Sequence, residues 1–429
     1  MKAVEHRVVI VGGGAGGAEL AAALGRRSQR LKMNVCLVDC ASQHLWKPRL
    51  HEVAAGVLGD SEDAISYLAL AQANGFRFHL GALIGLDVNA KTIAIGRVLT
   101  ARGETLLTDR VLKYDTLVLA FGSQVNDFGI PGVREYCHVL DDGERALAFQ
   151  RQLLEEAVKI SEGRTDRLLI GIVGAGATGV ELAAELHRAA AALHHVGGLM
   201  LADKLAVTLI DIAPRVLAGS APAVSSFALS ALRQLGVRFR LDDAVTRVIP
   251  NGFVLKSGET VPCDLKVWAS GVIGRPLAST LNLALDRSRR IVCDACLRCA
   301  GADDIYAMGD CAAVINPQTG RPLPTTAQVA HQQAAYLSRR LAQRPNQPSR
   351  QAFRYRDRGS LVSLGEQSTA GEFRIARSRV WTFNGTVPKF AYLSLHIMHR
   401  ATLIGWRRAV TLMLADGLRR TVAPPVKLH

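Results

Sequence analysis

Val8-Val9-Ile10-Val11-Gly12-Gly13-Gly14-Ala15-Gly16-Gly17 is the stretch that decides how this chain folds. Val8–Val11 is a β-branched run that reads as a buried strand, and the Ala/Leu/Glu-rich residues after Gly17 read as helix. Strand, tight turn and helix start are the setting in which G-x-G-x-x-G receives a pyrophosphate. Gly12 permits the turn, Gly14 lets the backbone approach the phosphates, and Gly17 lets helix and strand pack closely. The phosphate charge then rests on free N–H groups at the helix N-terminus. The same design returns in Leu169-Ile170-Gly171-Ile172-Val173-Gly174-Ala175-Gly176-Ala177-Thr178-Gly179. One such fingerprint is weak evidence. Two imply two dinucleotides in one protein, and electron transfer between them.

Each turn has an acidic companion. Asp39 ends the strand-like run Asn34–Asp39, and Asp211 ends Leu205–Asp211. A carboxylate at that place accepts hydrogen bonds from a ribose diol and repels a 2′-phosphate, so NAD(H) is favoured over NADP(H) at Asp211, although Arg215 stands near. Tyr114–Ser123 reads as a buried strand ending on the small residues Ala120 and Gly122, and Lys266–Gly271 echoes it with Gly271. Asp304–Asp310 is a further short strand ending in Gly309-Asp310, where a carboxylate can face the ribityl and phosphate part of FAD. The fold class that follows is α/β, with two Rossmann-like dinucleotide-binding domains. The boundaries expected are 1–125 and 295–372 for a discontinuous FAD-binding domain, 126–294 for an NADH-binding domain, and 373–429 for a C-terminal membrane-association region.

Length and composition agree with this layout. A chain of 429 residues, 49% hydrophobic and 21% charged, is a globular protein of two or three domains. Lys and Arg number 52 against 37 Asp and Glu, a net charge of +15, which favours an anionic partner. Eight irregularly spaced cysteines are no disulfide framework and fit a reducing compartment. No signal peptide is expected, because the first strand begins near Arg7, and no apolar run is long enough for a transmembrane helix. Cys293, Cys296 and Cys299 have iron–sulfur or zinc spacing but lack a fourth ligand, so no metal is expected. Cys40 has no partner at redox-pair distance, and His194 and His195 read as a surface turn.

Basic residues dominate the tail: Arg374, Arg377, Arg379, Lys389, Arg400, Arg407, Arg408, Arg419, Arg420 and Lys427 face only Glu372 and Asp416. Apolar residues at helical spacing lie between them, with Trp406 beside two arginines. That pattern suits an amphipathic helix in the interface of an anionic membrane, the alternative being a core helix or one packed on a dimer partner. Whether the chain pairs with a second copy is left open by the sequence. Gln328 and Gln332 are four apart, so a helix presents both carboxamides on one face, suited to a quinone carbonyl or a flavin ring edge.

Taken together, these segments resemble the type II NADH:quinone oxidoreductases, single-subunit respiratory NADH dehydrogenases of bacterial type. The resemblance spans essentially the whole chain. Its most specific carriers are His44-Leu45-Trp46-Lys47-Pro48-Arg49-Leu50-His51-Glu52-Val53-Ala54 and Ala327-Gln328-Val329-Ala330-His331-Gln332, joined by Gly174–Leu182, Tyr306–Ala312 and the closing Pro425–His429. It implies a membrane-peripheral flavoenzyme on the cytoplasmic face of the bacterial inner membrane, with one non-covalent FAD, NADH as donor and a quinone as acceptor. Hydride would pass from NADH to FAD and two electrons to the quinone, without proton pumping and without nucleic acid as a partner. It also implies that Gln328 and Gln332 line the quinone end of the site, that Glu181 lies near the nicotinamide and flavin and couples the two half-reactions, and that Lys47 and Pro48 shape the flavin pocket. Lys389 matches a lysine near the quinone tunnel of some relatives. The rival readings are sulfide:quinone oxidoreductase, a soluble NADH-dependent ferredoxin-type or rubredoxin reductase, and a non-catalytic flavin-bound redox sensor.

Overall fold

The computed structural model describes residues 5–59, 64–197, 201–343, 351–365, 369–376 and 379–422. Strand His6–Val11 lies inside a five-stranded sheet, flanked by Met33–Asp39 and Thr116–Leu119, with Arg77–Leu80 and Ile305–Ala307 at the edges. All four pairings are parallel. A strand flanked on both sides by parallel neighbours and buried on both faces reads as an unbroken apolar run, which is why Val8–Val11 shows no alternation. Val11 pairs with Val38 and with Leu119, so Gly12, Asp39 and Ala120 all emerge at one carboxyl edge of the sheet.

The second unit repeats this arrangement in four parallel strands. Leu168–Val173 runs between Leu205–Asp211 and Leu265–Trp268, with Arg238–Leu241 outermost. Val173 pairs with Ile210 and Trp268, which brings Gly174, Asp211 and Ala269 to one edge. Each unit also carries a three-stranded antiparallel sheet, Leu83–Asp87 with Thr92–Ile95 and Arg110–Lys113 in the first, and Val245–Ile249 with Gly252–Leu255 and Thr260–Pro262 in the second. The antiparallel pair Ser123–Val125 and Val272–Gly274 ties the two chain crossings together.

Three details differ from the sequence expectation. The helix of the first turn is Ala15–Gly25, starting inside the glycine motif because its residues already take up helical dihedrals. The second helix extends over Ala177–Gly197, so His194 and His195 lie on a helix and not on a turn. Ala278, Leu281 and Ile291, ahead of residue 295, pack in the first hydrophobic core.

The C-terminal part is a three-stranded antiparallel sheet, Gly359–Ser363, Thr369–Ala376 and Arg379–Gly385, followed by helices Thr386–Ile404 and Trp406–Val422. Val362, Leu364 and Ala370 join the second core, while Leu403 joins the first. The first tail helix is therefore docked on the body, with His396, His399 and Arg400 buried. Outward-facing apolar side chains concentrate on the second, at Trp406, Val410, Leu412, Leu414 and Leu418. No helix among the described residues is long and apolar enough to cross a membrane. Lys389 lies on the first tail helix, but its side chain, and those of Arg374, Arg379, Phe390, Tyr392, Arg419 and Arg420, fall outside the description, as do residues 377 and 427 altogether.

Candidate active site

The two glycine turns are built alike. Gly12 has φ +104° and Gly174 φ +112°, left-handed values that a side chain rarely adopts. A Cβ on Gly17 would collide with the Gly12 carbonyl oxygen, and one on Gly179 with that of Gly174, so helix and strand meet there only as glycine. Gly14 and Gly176, by contrast, have no atom within 4 Å of where a Cβ would sit. That open cradle is the space a diphosphate needs. The helix that follows Gly14 starts without any side-chain cap, which leaves its first N–H groups for an anion.

The two acids are held identically. Asp39 accepts from Gly13 N–H at 2.5 Å and Ala41 N–H at 2.8 Å. Asp211 accepts from Ala175 N–H at 2.5 Å and Ala213 N–H at 2.7 Å. Both carboxylates are thereby fixed at the rim of their turns with lone pairs to spare for hydroxyl donors. Arg215 spends one guanidinium nitrogen on the Ala218 and Ser220 carbonyls.

Around the first turn, Gly122 is open above its Cα, and Asp310 accepts from the Ser123 hydroxyl at 3.0 Å. Lys47 is exposed, yet protein packs around it. Desolvation there lowers its pKa and Arg275 adds to this, while Asp141 and Asp310 oppose it. Pro48 sits in the short 3-10 turn Lys47–Arg49 that aims Lys47. These groups fit FAD. In the second unit Gly271 differs from Gly122, because the ring of Phe128 covers the position its Cβ would take.

Glu181, Gln328 and Gln332 meet on one strap, residues 356–363. Gln328 donates to the Gly359 carbonyl at 3.0 Å and accepts from Arg358 N–H at 2.8 Å. Gln332 donates to the Arg356 carbonyl at 2.8 Å and accepts from its N–H at 3.0 Å. Glu181 accepts from Ser363 N–H at 3.0 Å, at the far end of the same strand. Both carboxamides thus serve backbone, as a pair of clamps, before they serve any ligand. Residues from both nucleotide units hold a single strand between them.

Glu181 stands in a buried cluster that sequence reasoning did not assign. Burial pushes its carboxyl well above the ordinary range. The Ser363 N–H opposes this, while Glu52 and Glu185 add to it. His51 Nδ1 lies 3.4 Å from Glu181 Oε2, and burial holds this imidazole down at about 4. Burial also acts on Glu52, yet two hydrogen bonds from Arg49, at 2.8 and 2.6 Å, keep it below its usual value. Arg49, His51 and Glu52 all belong to the segment that begins at His44, whose residue types were a signal without an assigned role.

The cysteines take no part. Cys293 and Cys299 face each other across an isolated bridge, and Cys296 turns toward the Gln351 carbonyl. Among the described residues no three His, Cys, Asp or Glu side chains are grouped to hold a metal ion.

Residues 6–334 match the pyridine nucleotide-disulphide oxidoreductase family. The chain is 37% identical to the type II NADH:quinone oxidoreductase of Haemophilus influenzae over 98% of its own length and 99% of the relative's. It is 29% identical to Ndh, a type II NADH:quinone oxidoreductase of Mycobacterium tuberculosis, over 96% of this chain and 87% of that one. In fold it is similar to NDH2 from Plasmodium falciparum in complex with NADH, with a TM-score of 0.83 at 18% identity, covering 99% of this chain and 100% of the other. The sulfide:quinone oxidoreductase of Aquifex aeolicus follows at TM-score 0.71 and 19% identity, covering 94% and 92%. The repeated glycine turns, the FAD-compatible first site and the full-length identity lead to one assignment: this chain belongs to the type II NADH:quinone oxidoreductases, within the pyridine nucleotide-disulphide oxidoreductase family.

Proposed function

We propose that the chain takes reducing equivalents from NADH and delivers them to a quinone through one non-covalent FAD, with the three groups served by the residues just described. When bound, FAD accepts two electrons from the nicotinamide and gives them up to the quinone. Gly12, Gly14, Gly17 and Asp39 hold its diphosphate and ribose, while Lys47, Pro48, Ala120, Gly122 and Asp310 bound the remainder of the pocket. Gly174, Gly176, Gly179, Asp211 and Gly271 hold NADH. The protein's contribution is orientation and exclusion of water, which makes the exchange effectively intramolecular.

Burial raises the Glu181 carboxyl and Glu52 and Glu185 add to it, which favours its protonated form beside His51. Gln328 and Gln332 fix the strap that walls the quinone end. The observation that carries this reading is the convergence of Glu181, Gln328 and Gln332 on residues 356–363, since it brings helices of the two nucleotide units to one place.

Quinones dissolve in the bilayer, so the enzyme works against a lipid surface. The outward apolar row of Trp406, Val410, Leu414 and Leu418, with Arg407 beside it, suits a helix lying in an anionic interface. NADH is supplied from the cytoplasm, which sets the enzyme on the cytoplasmic face. A second copy packed on the same tail would compete with lipid for this row.

Stopped-flow absorbance tests the scheme. Adding NADH to the purified flavoprotein should bleach the flavin, and a short-chain quinone should then restore it. Bleaching without quinone-driven recovery would remove the quinone reductase reading.

A further inference from the structure

Behind the first glycine turn a line of buried polar groups runs into the tail helix Thr386–Ile404. The Gly13 carbonyl accepts from the Tyr67 hydroxyl at 2.7 Å and lies 2.8 Å from His44 Nδ1. His44 Nε2 meets His399 Nε2 at 2.8 Å, and His399 Nδ1 meets Glu19 Oε1 at 2.7 Å. The other carboxylate oxygen, Glu19 Oε2, is 2.6 Å from His331 Nδ1. His44, Glu19 and His399 are 2%, 3% and 6% exposed, so water does not stand in for any of these partners. Trp46 stacks on His399 and on His396, with centroids 5.7 and 5.2 Å apart.

A carbonyl oxygen can only accept, and that fixes the first link of the line. His44 carries a proton on Nδ1 for Gly13. Two imidazole nitrogens in contact need one proton between them, so His44 and His399 share a single proton on their Nε2 atoms. His399 Nδ1 faces a carboxylate and donates to it. The line closes with Glu19 ionised and one positive charge shared by the His44–His399 pair. Burial alone would raise the Glu19 carboxyl, but the bonds from His331 and His399 outweigh it and bring it below its ordinary value. The Glu19 bond in turn raises His331.

The other charged and titratable groups around this line have their own engagements. Arg400 on the same helix pairs with Asp416 of the next one at 2.7 Å, and His396 sits across Trp46. Arg26, on the glycine-turn helix, reaches the Thr402 carbonyl at 3.1 Å. Arg358 acts on His331, Asp39 on Tyr67, and Glu372, on a strand packed beneath the tail helix, binds Ala221 N–H.

We propose that His399 is a positioning residue for FAD: through His44 it fixes the Gly13 peptide, and so sets the backbone that receives the diphosphate. The proposal rests on the reading that the first glycine turn holds FAD. It gives the tail helix a second duty, closing the cofactor site from behind. Gly13 has no latitude of its own, because a Cβ there would collide with Tyr67, and its N–H is already committed to Asp39.

Release of FAD from the holoenzyme, followed by the rise in free-flavin fluorescence across pH, tests this. His399→Phe should release FAD roughly tenfold faster at neutral pH and alter the visible spectrum of the bound flavin, because a hydrogen bond to a charged group is lost. His399→Gln keeps an amide donor for His44 and should recover most of the retention. In the wild type, release should accelerate on acidification, since a second proton between the two Nε2 atoms would break their contact. His44→Gln donates to Gly13 and accepts from His399 without titrating, so whatever its release rate at neutral pH, that rate should no longer rise in acid. If the His399→Phe variant does not fold, the pH profile of His44→Gln decides. Equal release by all variants, or an unchanged acid dependence in His44→Gln, would overturn the proposal. A wild-type protein that takes up no flavin would overturn the functional reading instead, which is a different result.

Discussion

Single side chains in this enzyme are best judged by what they hold in place. Asp211 braces the second turn through Ala175 and Ala213 and, on the proposed reading, also meets the ribose, so its replacement would act twice. Asp211→Ser keeps one acceptor for the turn but removes the charge that repels a 2′-phosphate. The ratio of kcat/KM for NADH over NADPH should fall by about tenfold, and an unchanged ratio would place the ribose partner elsewhere. His51 makes a prediction of a different kind. It stays neutral in the fold down to about pH 4, whereas the unfolded chain takes up its proton near the ordinary value of 6.5. Its share of stability is therefore complete above pH 6.5 and is lost as the pH falls toward the folded value, by about 3 kcal/mol over that window. Glu181 slopes the other way: with its pKa raised, its share is complete below the ordinary carboxyl range and is lost as the pH rises through the folded value. Denaturant titrations of the wild type and His51→Gln at a series of pH values isolate the His51 effect. Curves that stay parallel through acid would show that this imidazole is not buried neutral.

At the level of elements, the sequence was most informative where one local constraint decides the structure. The glycine turns could be placed because a tight turn at Gly12 and a close packing at Gly17 each exclude a Cβ within six residues, with the open position of Gly14 between them. The strap was not legible. Nothing in Gln328 or Gln332 announces that residues 356–359 will arrive against them, because that contact comes from tertiary packing and not from periodicity. The tail was half legible, since its basic and apolar pattern marked an amphipathic helix without distinguishing the docked helix from the outward one. That distinction is testable. Ending the chain at Gly405 removes the outward apolar row but keeps Leu403 in the first core and His399 on His44. Such a protein should retain its flavin and, at high salt where net charge no longer holds it, stop co-sedimenting with anionic vesicles, whereas ending it before Phe390 should also cost the flavin. A Gly405 truncation that still pellets with vesicles at high salt would put the lipid contact on another element.

For the whole molecule, the proposed membrane contact divides between charge and apolar surface. A net charge of +15 would attract the chain to an anionic leaflet, but that attraction is long-range and screened by salt. Screening shortens its reach from about 10 Å at 0.1 M to about 3 Å at 1 M. Burial of Trp406, Val410, Leu414 and Leu418 in the interface would be short-range and nearly indifferent to salt. The two contributions are separable on one preparation. Partition onto anionic vesicles should drop by roughly tenfold or more between about 50 mM and 500 mM salt and then level off at a plateau. Partition onto zwitterionic vesicles should match that plateau and stay flat across the same range. If the anionic curve is flat as well, the excess of Lys and Arg is not what draws the protein in. If instead both curves fall to nothing at high salt, the apolar row never enters the interface, and the quinone must be handed over by a protein held at the surface by charge alone.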